Sequence, residues 1–314
     1  MAGRTQRAIT IVLNLRVEAR IPYRNLKRQE NESLDVTEFC SLPNDSVALS
    51  CFKDGLRAIS LGNKQLCPFK HSPLKVVYRV AYDVQTDTLL LVEETLKSAG
   101  NRKIYSLVSF HHRSNNWVVV QRLPLEIFYS SELGDLLTCH SRVLLGKLGA
   151  DIIDVFVLSK DHSLTSEGPI LLQKELFRFA CTRLASDTLM AFNHKESVSL
   201  HRLLNLQLER LAQVDLTNPQ WLLFRGDLLF VADMNKSTET HAIVSCIVKG
   251  GELTYKRQVL DSKDSIKISE WCLASNKIVA KEFKTQDLVI FAFEEGHCSQ
   301  PQRPVLPRAS SFWR

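Results

Sequence analysis

The stretch CTRLASDTLMAFNHKESVSLHRL, residues 181–203, contains two short apolar segments separated by polar residues. The apolar segments are residues 188–191 and 198–200, and short apolar runs bounded by polar turns are typical of antiparallel strands. Ser186 and Asp187 precede the first segment, and an aspartate side chain can bond the backbone two residues further on and hold a tight bend. If this turn-and-strand unit belongs to a repeat fold, similar units recur at a regular interval.

Such units do recur along the chain. Three further stretches combine a small or polar residue, an aspartate and an apolar run: residues 44–49, 86–91 and 226–230. Residues 140–145 and 275–280 are weaker copies. Counted between the turn residues 45, 87, 141, 187, 227 and 276, the intervals are 42, 54, 46, 40 and 49 residues. A period in the forties with several short strands per repeat is expected of propeller blades.

Complete units contain four strand candidates, separated by clusters of Asn, Ser, Gly, Asp or Lys. In the second unit these candidates are residues 77–84, 88–93, 103–110 and 117–121; in the fifth they are 220–224, 228–232, 242–248 and 253–259. Helical repeats need longer amphipathic segments, and only residues 205–212 resemble one. The chain therefore resembles a six-bladed β-propeller of the WD40-like or NHL-like kind over about residues 35–294. The expected fold class is all-β, with four-stranded antiparallel blades.

Closure of the ring depends on the last unit, which has only three strand candidates: residues 270–273, 277–280 and 288–293. Propellers similar to this one often close by pairing strands from both termini, which also removes an exposed sheet edge. Residues 9–17 are the predicted fourth strand. A separate edge strand or a short helix at residues 9–17 is the alternative.

Basic residues concentrate at the two ends of the chain. Of 314 residues, 45% are hydrophobic and 24% charged, which is the composition of a folded globular protein with net charge +6. Residues 1–30 hold seven Lys or Arg against Glu18 and Glu30, and residues 297–314 hold three Arg and no acid. We expect a basic N-terminal segment at 1–30, the propeller at 31–296 and a flexible tail at 297–314.

The turns within each predicted blade divide by charge. Turns between first and second strands carry acids, among them Asp45, Asp87, Asp187 and Asp227. Turns between second and third strands carry the predicted partner-binding residues Lys53, Lys97, Arg102, Lys195, Lys236 and Lys284. Because these two sets of turns lie on opposite faces of a propeller, the sequence predicts a basic face that binds a protein with an acidic surface. The alternative is that these residues serve solubility alone.

The chain lacks the local motifs of common catalytic sites. It contains no P-loop, no G-x-G-x-x-G, no G-x-S-x-G and no H-E-x-x-H, and the adjacent pair His111 and His112 would point to opposite faces of a strand. The predicted innermost strands carry Arg79, His140, Arg178 and Glu270, with Asp83 and Asp135 near strand ends. This carboxylate set is thin for a hard cation, so we expect no metal, no cofactor and no catalytic residues.

Eight cysteines occur without any C-x-x-C pair, and several lie inside apolar segments, where a reduced cysteine packs as a small core residue. This usage predicts free thiols in an intracellular compartment, cytoplasmic or nuclear. The apolar run at residues 8–13 is too short to span a bilayer, so no membrane association is expected.

A rigid disc with many variable loops and no catalytic constellation favours a non-enzymatic protein-interaction scaffold. Two alternatives stay open. The first is binding of nucleic acid, RNA in particular, through the basic turns and tails, although positive charge on such proteins usually clusters on the folded domain. The second is a metal-dependent propeller hydrolase.

Overall fold

The computed structural model describes residues 12–26, 36–51, 55–67, 76–96, 103–113, 116–127, 132–148, 151–172, 178–260, 264–274 and 276–296. Within these ranges, 24 strands form six antiparallel sheets of four strands each. The predicted all-β fold with six four-stranded blades is therefore confirmed. Residues 1–11 and the predicted tail at 297–314 lie outside the described residues.

The six sheets are six blades, numbered here in chain order. Blade 1 contains β2 (Val36–Leu42), β3 (Ser46–Cys51), β4 (Gly55–Ser60) and β5 (Leu66–Cys67). Blade 2 contains β6 (Val76–Asp83), β7 (Thr88–Leu96), β8 (Lys103–Arg113) and β9 (Asn116–Leu125). Blade 3 contains β10 (Leu133–Cys139), β11 (Arg142–Lys147), β12 (Ile152–Leu158) and β13 (Leu164–Leu171). Blade 4 contains β14 (Phe179–Leu184), β15 (Asp187–Asn193), β16 (Ser197–Leu204) and β17 (Gln207–Asp215). Blade 5 contains β18 (Pro219–Arg225), β19 (Leu228–Asn235), β20 (Thr240–Lys249) and β21 (Glu252–Gln258).

Blade 6 is built from both ends of the described chain. Its strands are β22 (Ile268–Ala274), β23 (Lys277–Glu282), β24 (Leu288–Gly296) and β1 (Val12–Ile21), which is followed by a short 3₁₀ helix, Tyr23–Leu26. β1 pairs antiparallel with β24, from Val12 opposite Gly296 to Ile21 opposite Leu288. The N-terminal strand thus closes the ring as predicted, but it extends four residues beyond the predicted end at residue 17.

The first turn of each blade, which joins its first strand to its second, opens the second strand in all six blades, as the repeat predicts. Asp45, Asp87, Ser141 and Asn276 each end such a turn with φ between 54° and 59°. Asp and Asn tolerate this left-handed conformation better than most residues. Blade 4 differs by one position, because Ala185 and Ser186 form the turn and Asp187 is already the first residue of β15.

The apolar core lies between neighbouring blades. One buried cluster joins Leu42 and Ala48 of blade 1 to Leu89 and Phe110 of blade 2, and equivalent clusters fill the other described blade contacts. The first strand of every blade contacts the first strand of the next, and β22 contacts β2, so these innermost strands surround a central channel. Burial of apolar area between twisted sheets is the main stabilising term of this arrangement.

The possible helix at residues 205–212 is not present. Asn205 and Leu206, both with positive φ, form the turn between β16 and β17, and β17 begins at Gln207. The apolar residues in this stretch belong to β17, a half-exposed outer strand, and pack on one of its sides against the neighbouring blade. Within the described part of the chain, no helix has the length and apolar character required to cross a membrane.

Candidate functional site

The central channel brings together charged side chains from different blades. Five of the described innermost strands carry a register shift near their start, and in β2, β6 and β22 the shift ends at Glu38, Arg79 and Glu270. A β-bulge bends a strand and re-aims the side chains beside it. Asp135 lies within the shift of β10, and Arg178 directly precedes β14. Charged residues from five blades therefore gather at one level of the channel.

The two cations of this level are already engaged. Arg178 forms an ion pair with Asp135, and its guanidinium lies over the Trp221 ring, 3.8 Å from the centroid. Arg79 donates from Nε to the Gly134 carbonyl at 2.6 Å, from Nη2 to Leu133 O at 2.8 Å and from Nη1 to Tyr78 O at 3.0 Å. Arg79 thus joins β6 to β10. Among the described residues, no carboxylate lies at ion-pair distance from its guanidinium group.

The carboxylates of Glu38 and Glu270 have no such partner. Glu38 Oε2 accepts a hydrogen bond from Val80 N at 2.7 Å, and Glu270 Oε1 accepts a long one, 3.4 Å, from Trp271 N. The two side chains are 6% and 7% exposed, and no cation forms an ion pair with either within the described residues. Burial raises the pKa of Glu38 well above its usual value, although Arg79 opposes the rise. Burial likewise raises the pKa of Glu270 to about 7.

A funnel of about 450 Å³ leads to these carboxylates. The residues that line the funnel extend from the level of Glu38, Asp135, Arg178 and Glu270 to the first turns of the blades. The funnel therefore opens on the face of the propeller that carries these turns, which we call the first-turn face. The wall is mainly apolar and includes Val80, Tyr82, Val84, Leu137, Trp221, Leu223, Trp271 and Leu273. An apolar concavity with a few polar groups at its floor is the usual form of a binding site.

The predicted innermost-strand residues Arg79, Arg178 and Glu270 do lie at the channel, and Asp135 joins them. His140 instead lies in the first turn of blade 3, where its Nδ1 is 2.9 Å from Arg183 Nη1. Asp83 ends β6 and accepts hydrogen bonds from Thr86 N and Oγ1 at 2.9 and 2.7 Å, so it stabilises a turn.

Sequence reasoning missed Glu38. The signal was available, because each of the five channel charges stands six to nine residues before the first-turn residue of its repeat unit. A polar residue at that place inside an otherwise apolar strand indicates a position that faces the channel. The charges alternate as acid, base, acid and base in blades 1 to 4, blade 5 has no charge at this place, and blade 6 has the acid Glu270.

The predicted basic residues have a different location. Lys195, Lys236 and Lys284 are exposed in the loops between second and third strands, on what we call the second-turn face, opposite the funnel mouth. Lys236 Nζ lies 4.0 Å from Glu196 Oε1, so an acid of the neighbouring blade reduces its field. Lys53, Lys97 and Arg102 lie outside the described residues.

The described cysteines and histidines form no recognisable centre. Cys40, Cys51, Cys139, Cys181, Cys246 and Cys272 carry free thiols. Within the described ranges, no group of three or more His, Cys, Asp or Glu side chains is arranged to hold a metal ion. His111 stacks on His162 with centroids 3.8 Å apart, whereas His112 contacts Trp117, so the adjacent pair does point to opposite faces.

Comparison with known proteins gives matches in structure alone. No protein-family model and no curated protein matches the chain. A chain in the crystal structure of the mitotic checkpoint complex superposes with a TM-score of 0.55 at 10% identity, over 85% of this chain and 78% of that one. A functionally unknown protein from Desulfotomaculum acetoxidans DSM 771 gives a TM-score of 0.58 at 12% identity, over 82% and 83%.

The WD40 repeats of RRP9 match over 90% of this chain and 98% of that one, at 13% identity and a TM-score of 0.47. At such identities a likeness concerns the fold. The six four-stranded sheets and the closed ring of innermost strands make this chain a six-bladed β-propeller, and the two structures with TM-scores of 0.55 and 0.58 are similar to it in fold.

Proposed function

We propose that the chain is a non-enzymatic protein-interaction scaffold that receives a segment of a partner protein at the mouth of its channel. The funnel on the first-turn face supports this proposal, because it is the one concavity described above that combines an apolar wall with buried charges. Val84 at its rim is 79% exposed, and an exposed apolar side chain beside an apolar wall is suited to contact with a partner.

The second-turn face is a second candidate surface for the same function. Lys195, Lys236 and Lys284 come from the consecutive blades 4, 5 and 6 at one end of the ring, so their fields add and favour a partner with an acidic surface. Such attraction acts mainly on the rate of encounter. Salt-dependent binding of RNA to this face would instead support the nucleic-acid function.

The funnel is tested with two valines on blade 2 that differ in place. Val84 lies at the rim, and Val118 lies on the outer strand β9 and is 45% exposed. We expect Val84→Lys to weaken binding of proteins captured by the wild-type chain at least tenfold, because it adds a charge to the apolar rim. Val118→Lys should leave their affinity unchanged.

Captured proteins are identified by mass spectrometry and their dissociation constants measured by titration with each variant. Equal affinity for both variants would contradict a binding site in the funnel. The same titration with a chain that lacks residues 297–314 tests whether the C-terminal tail contributes.

A further inference from the structure

The floor of the funnel holds one carboxylate more than it has cations, and two of its carboxylates form no direct ion pair within the described residues. Three carboxylates, Glu38, Asp135 and Glu270, stand beside the guanidinium groups of Arg79 and Arg178. Asp135 takes the ion pair with Arg178, and Arg79 donates to backbone carbonyls. The negative charges of Glu38 and Glu270 therefore have no counter-charge at ion-pair distance within the described residues.

These two carboxylates also repel each other. Burial is the largest cause that raises the pKa of both groups, Arg79 opposes it at Glu38 and Arg178 at Glu270, and Glu270 and Asp135 add to the rise at Glu38 as Asp135 does at Glu270. An ionised carboxylate removed from water is costly unless a cation or several hydrogen bonds compensate it. The floor therefore favours either a bound proton or a cation brought in from outside.

The wall above the floor has the chemistry that a long cationic side chain needs. Trp271, Tyr82 and Leu223 line the passage from Glu270 to the mouth. Lysine and arginine bury their methylene stems against apolar surface while the charged head reaches a polar group. Glu38 at the floor and Ser41 nearer the mouth are three residues apart on β2, which corresponds to a depth of about 10 Å at about 3.3 Å per residue. Because the floor lies this deep, the tip of the peptide must enter the funnel together with the inserted side chain.

We propose that Glu38 and Glu270 bind the ammonium or guanidinium group of a lysine or arginine side chain that a partner protein inserts into the funnel. The proposal rests on the proposed function and adds to it the chemistry of the inserted residue. A carboxylate that is buried, unpaired and directed into an open cavity gains a charge-assisted hydrogen bond when the cation arrives. Neutral residues of the same length gain only the contact with the apolar wall.

The test uses three peptides of the form acetyl-Gly-Gly-X-Gly-Gly-amide, with X as lysine, arginine or norleucine. Binding is measured at pH 8 by titration calorimetry and by the fluorescence of Trp221 and Trp271 in the funnel wall. We expect the lysine or the arginine peptide to bind at least tenfold more tightly than the norleucine peptide. Because the pKa of Glu270 is about 7, this preference should decrease as the pH falls from 8 to 6.

Variants separate the role of the floor from general effects. Glu270→Gln should remove the preference for the cationic peptide, and Glu38→Gln should reduce it. The matched control is Glu93→Gln, because Glu93 is also buried but pairs with Arg122 outside the funnel. Glu270→Gln should fold and melt at a higher temperature than the wild type at pH 8, since it removes an unpaired buried charge.

Equal affinities of the lysine, arginine and norleucine peptides would overturn the inference, and so would an unchanged preference in Glu270→Gln. Failure here is distinct from failure of the proposed function. If Val84→Lys weakens partner binding while Glu270→Gln and Glu38→Gln leave it intact, the funnel is a binding site for a neutral segment. If none of the three variants changes partner binding, the funnel is not the interaction site.

Discussion

His241 is a buried histidine whose two ring nitrogens are both engaged. Ile268 N donates to Nδ1 at 2.9 Å, which places the proton of the neutral ring on Nε2, 3.2 Å from Gln220 Oε1. Burial lowers its pKa to about 4; nearby Lys267 adds to the decrease, while the Ile266 backbone and Asp233 oppose it. Folding therefore holds this imidazole neutral at pH values where the unfolded chain is protonated.

The sign of the resulting pH dependence follows from linkage. The folded pKa of about 4 lies below the ordinary histidine value of 6.5, so this stabilising contribution is complete above pH 6.5 and is lost as the pH falls towards 4. The slope reaches at most about 1.4 kcal/mol per pH unit. His241→Asn keeps an acceptor near the Nδ1 position without a titrating group.

We expect the wild type to lose stability relative to His241→Asn between pH 7 and pH 5. Urea denaturation of both proteins at several pH values gives the difference between their free energies of unfolding. The titration of other groups, such as Glu270 with its raised pKa, contributes equally to both proteins and cancels in this difference. Parallel curves for the two proteins would show that His241 is not responsible.

At the scale of the element, β1 closes the ring by apolar packing more than by its charges. Leu15 is buried against Phe291 and Leu260, and its N–H donates to Val259 O at 2.8 Å, which links β1 to the end of blade 5. Arg16 pairs with Glu294 at 2.8 Å, but both side chains are about half exposed. Exposed pairs of this kind contribute about 0–1 kcal/mol.

Leu15→Ala should therefore lower the free energy of unfolding by about 2–4 kcal/mol, as deletions of buried leucine side chains do. Arg16→Ala, one residue away on the same strand, should lower it by less than about 1 kcal/mol. Denaturant titration of both variants measures the two values. Equal losses would mean that β1 is not anchored by its buried side chain. Light scattering should also detect more self-association for Leu15→Ala, because a loosened β1 exposes the edge of β24.

At the scale of the whole molecule, two opposite faces present different chemistry. The first-turn face opens into the funnel, and the second-turn face carries Lys195, Lys236 and Lys284. Lys195→Glu combined with Lys236→Glu should slow association with an acidic partner at least severalfold and flatten its salt dependence. The melting temperature should change little, because each exposed lysine contributes about 0–1 kcal/mol.

The matched control reverses the same amount of charge on the other face. Lys160 is exposed in the loop that follows the third strand of blade 3, and Lys249 is exposed at the end of the third strand of blade 5, so both lie on the first-turn face. Stopped-flow measurement of the association rate at several salt concentrations compares the two double variants. An equal decrease for Lys160→Glu with Lys249→Glu would assign the effect to net charge, and an effect of the control alone would identify the first-turn face as the interface.

The sequence by itself determined the local features of this protein. Turns such as Gly226-Asp227 depend on the φ preferences of their own residues. The strands beside the turns depend on an alternation of side chains with a period of two, which a few neighbouring residues are enough to show. Both are readable along the chain, so the number of blades, the strands of blades 2 and 5 and the N-terminal closing strand were predictable. The alternation Leu13, Leu15, Val17, Ala19 and Ile21 could also have shown that β1 continues to residue 21.

Only the tertiary structure decided which distant residues meet. Glu38 and Glu270 are 232 positions apart in the chain, and closure of the ring by β1 and β24 makes blades 1 and 6 neighbours. Whether a charge at the channel is paired depends on small shifts of register: Arg178 reaches Asp135, while Arg79 bonds to backbone carbonyls. Side-chain pairing of this kind depends on distances of a few ångströms between blades, which the order of residues does not express.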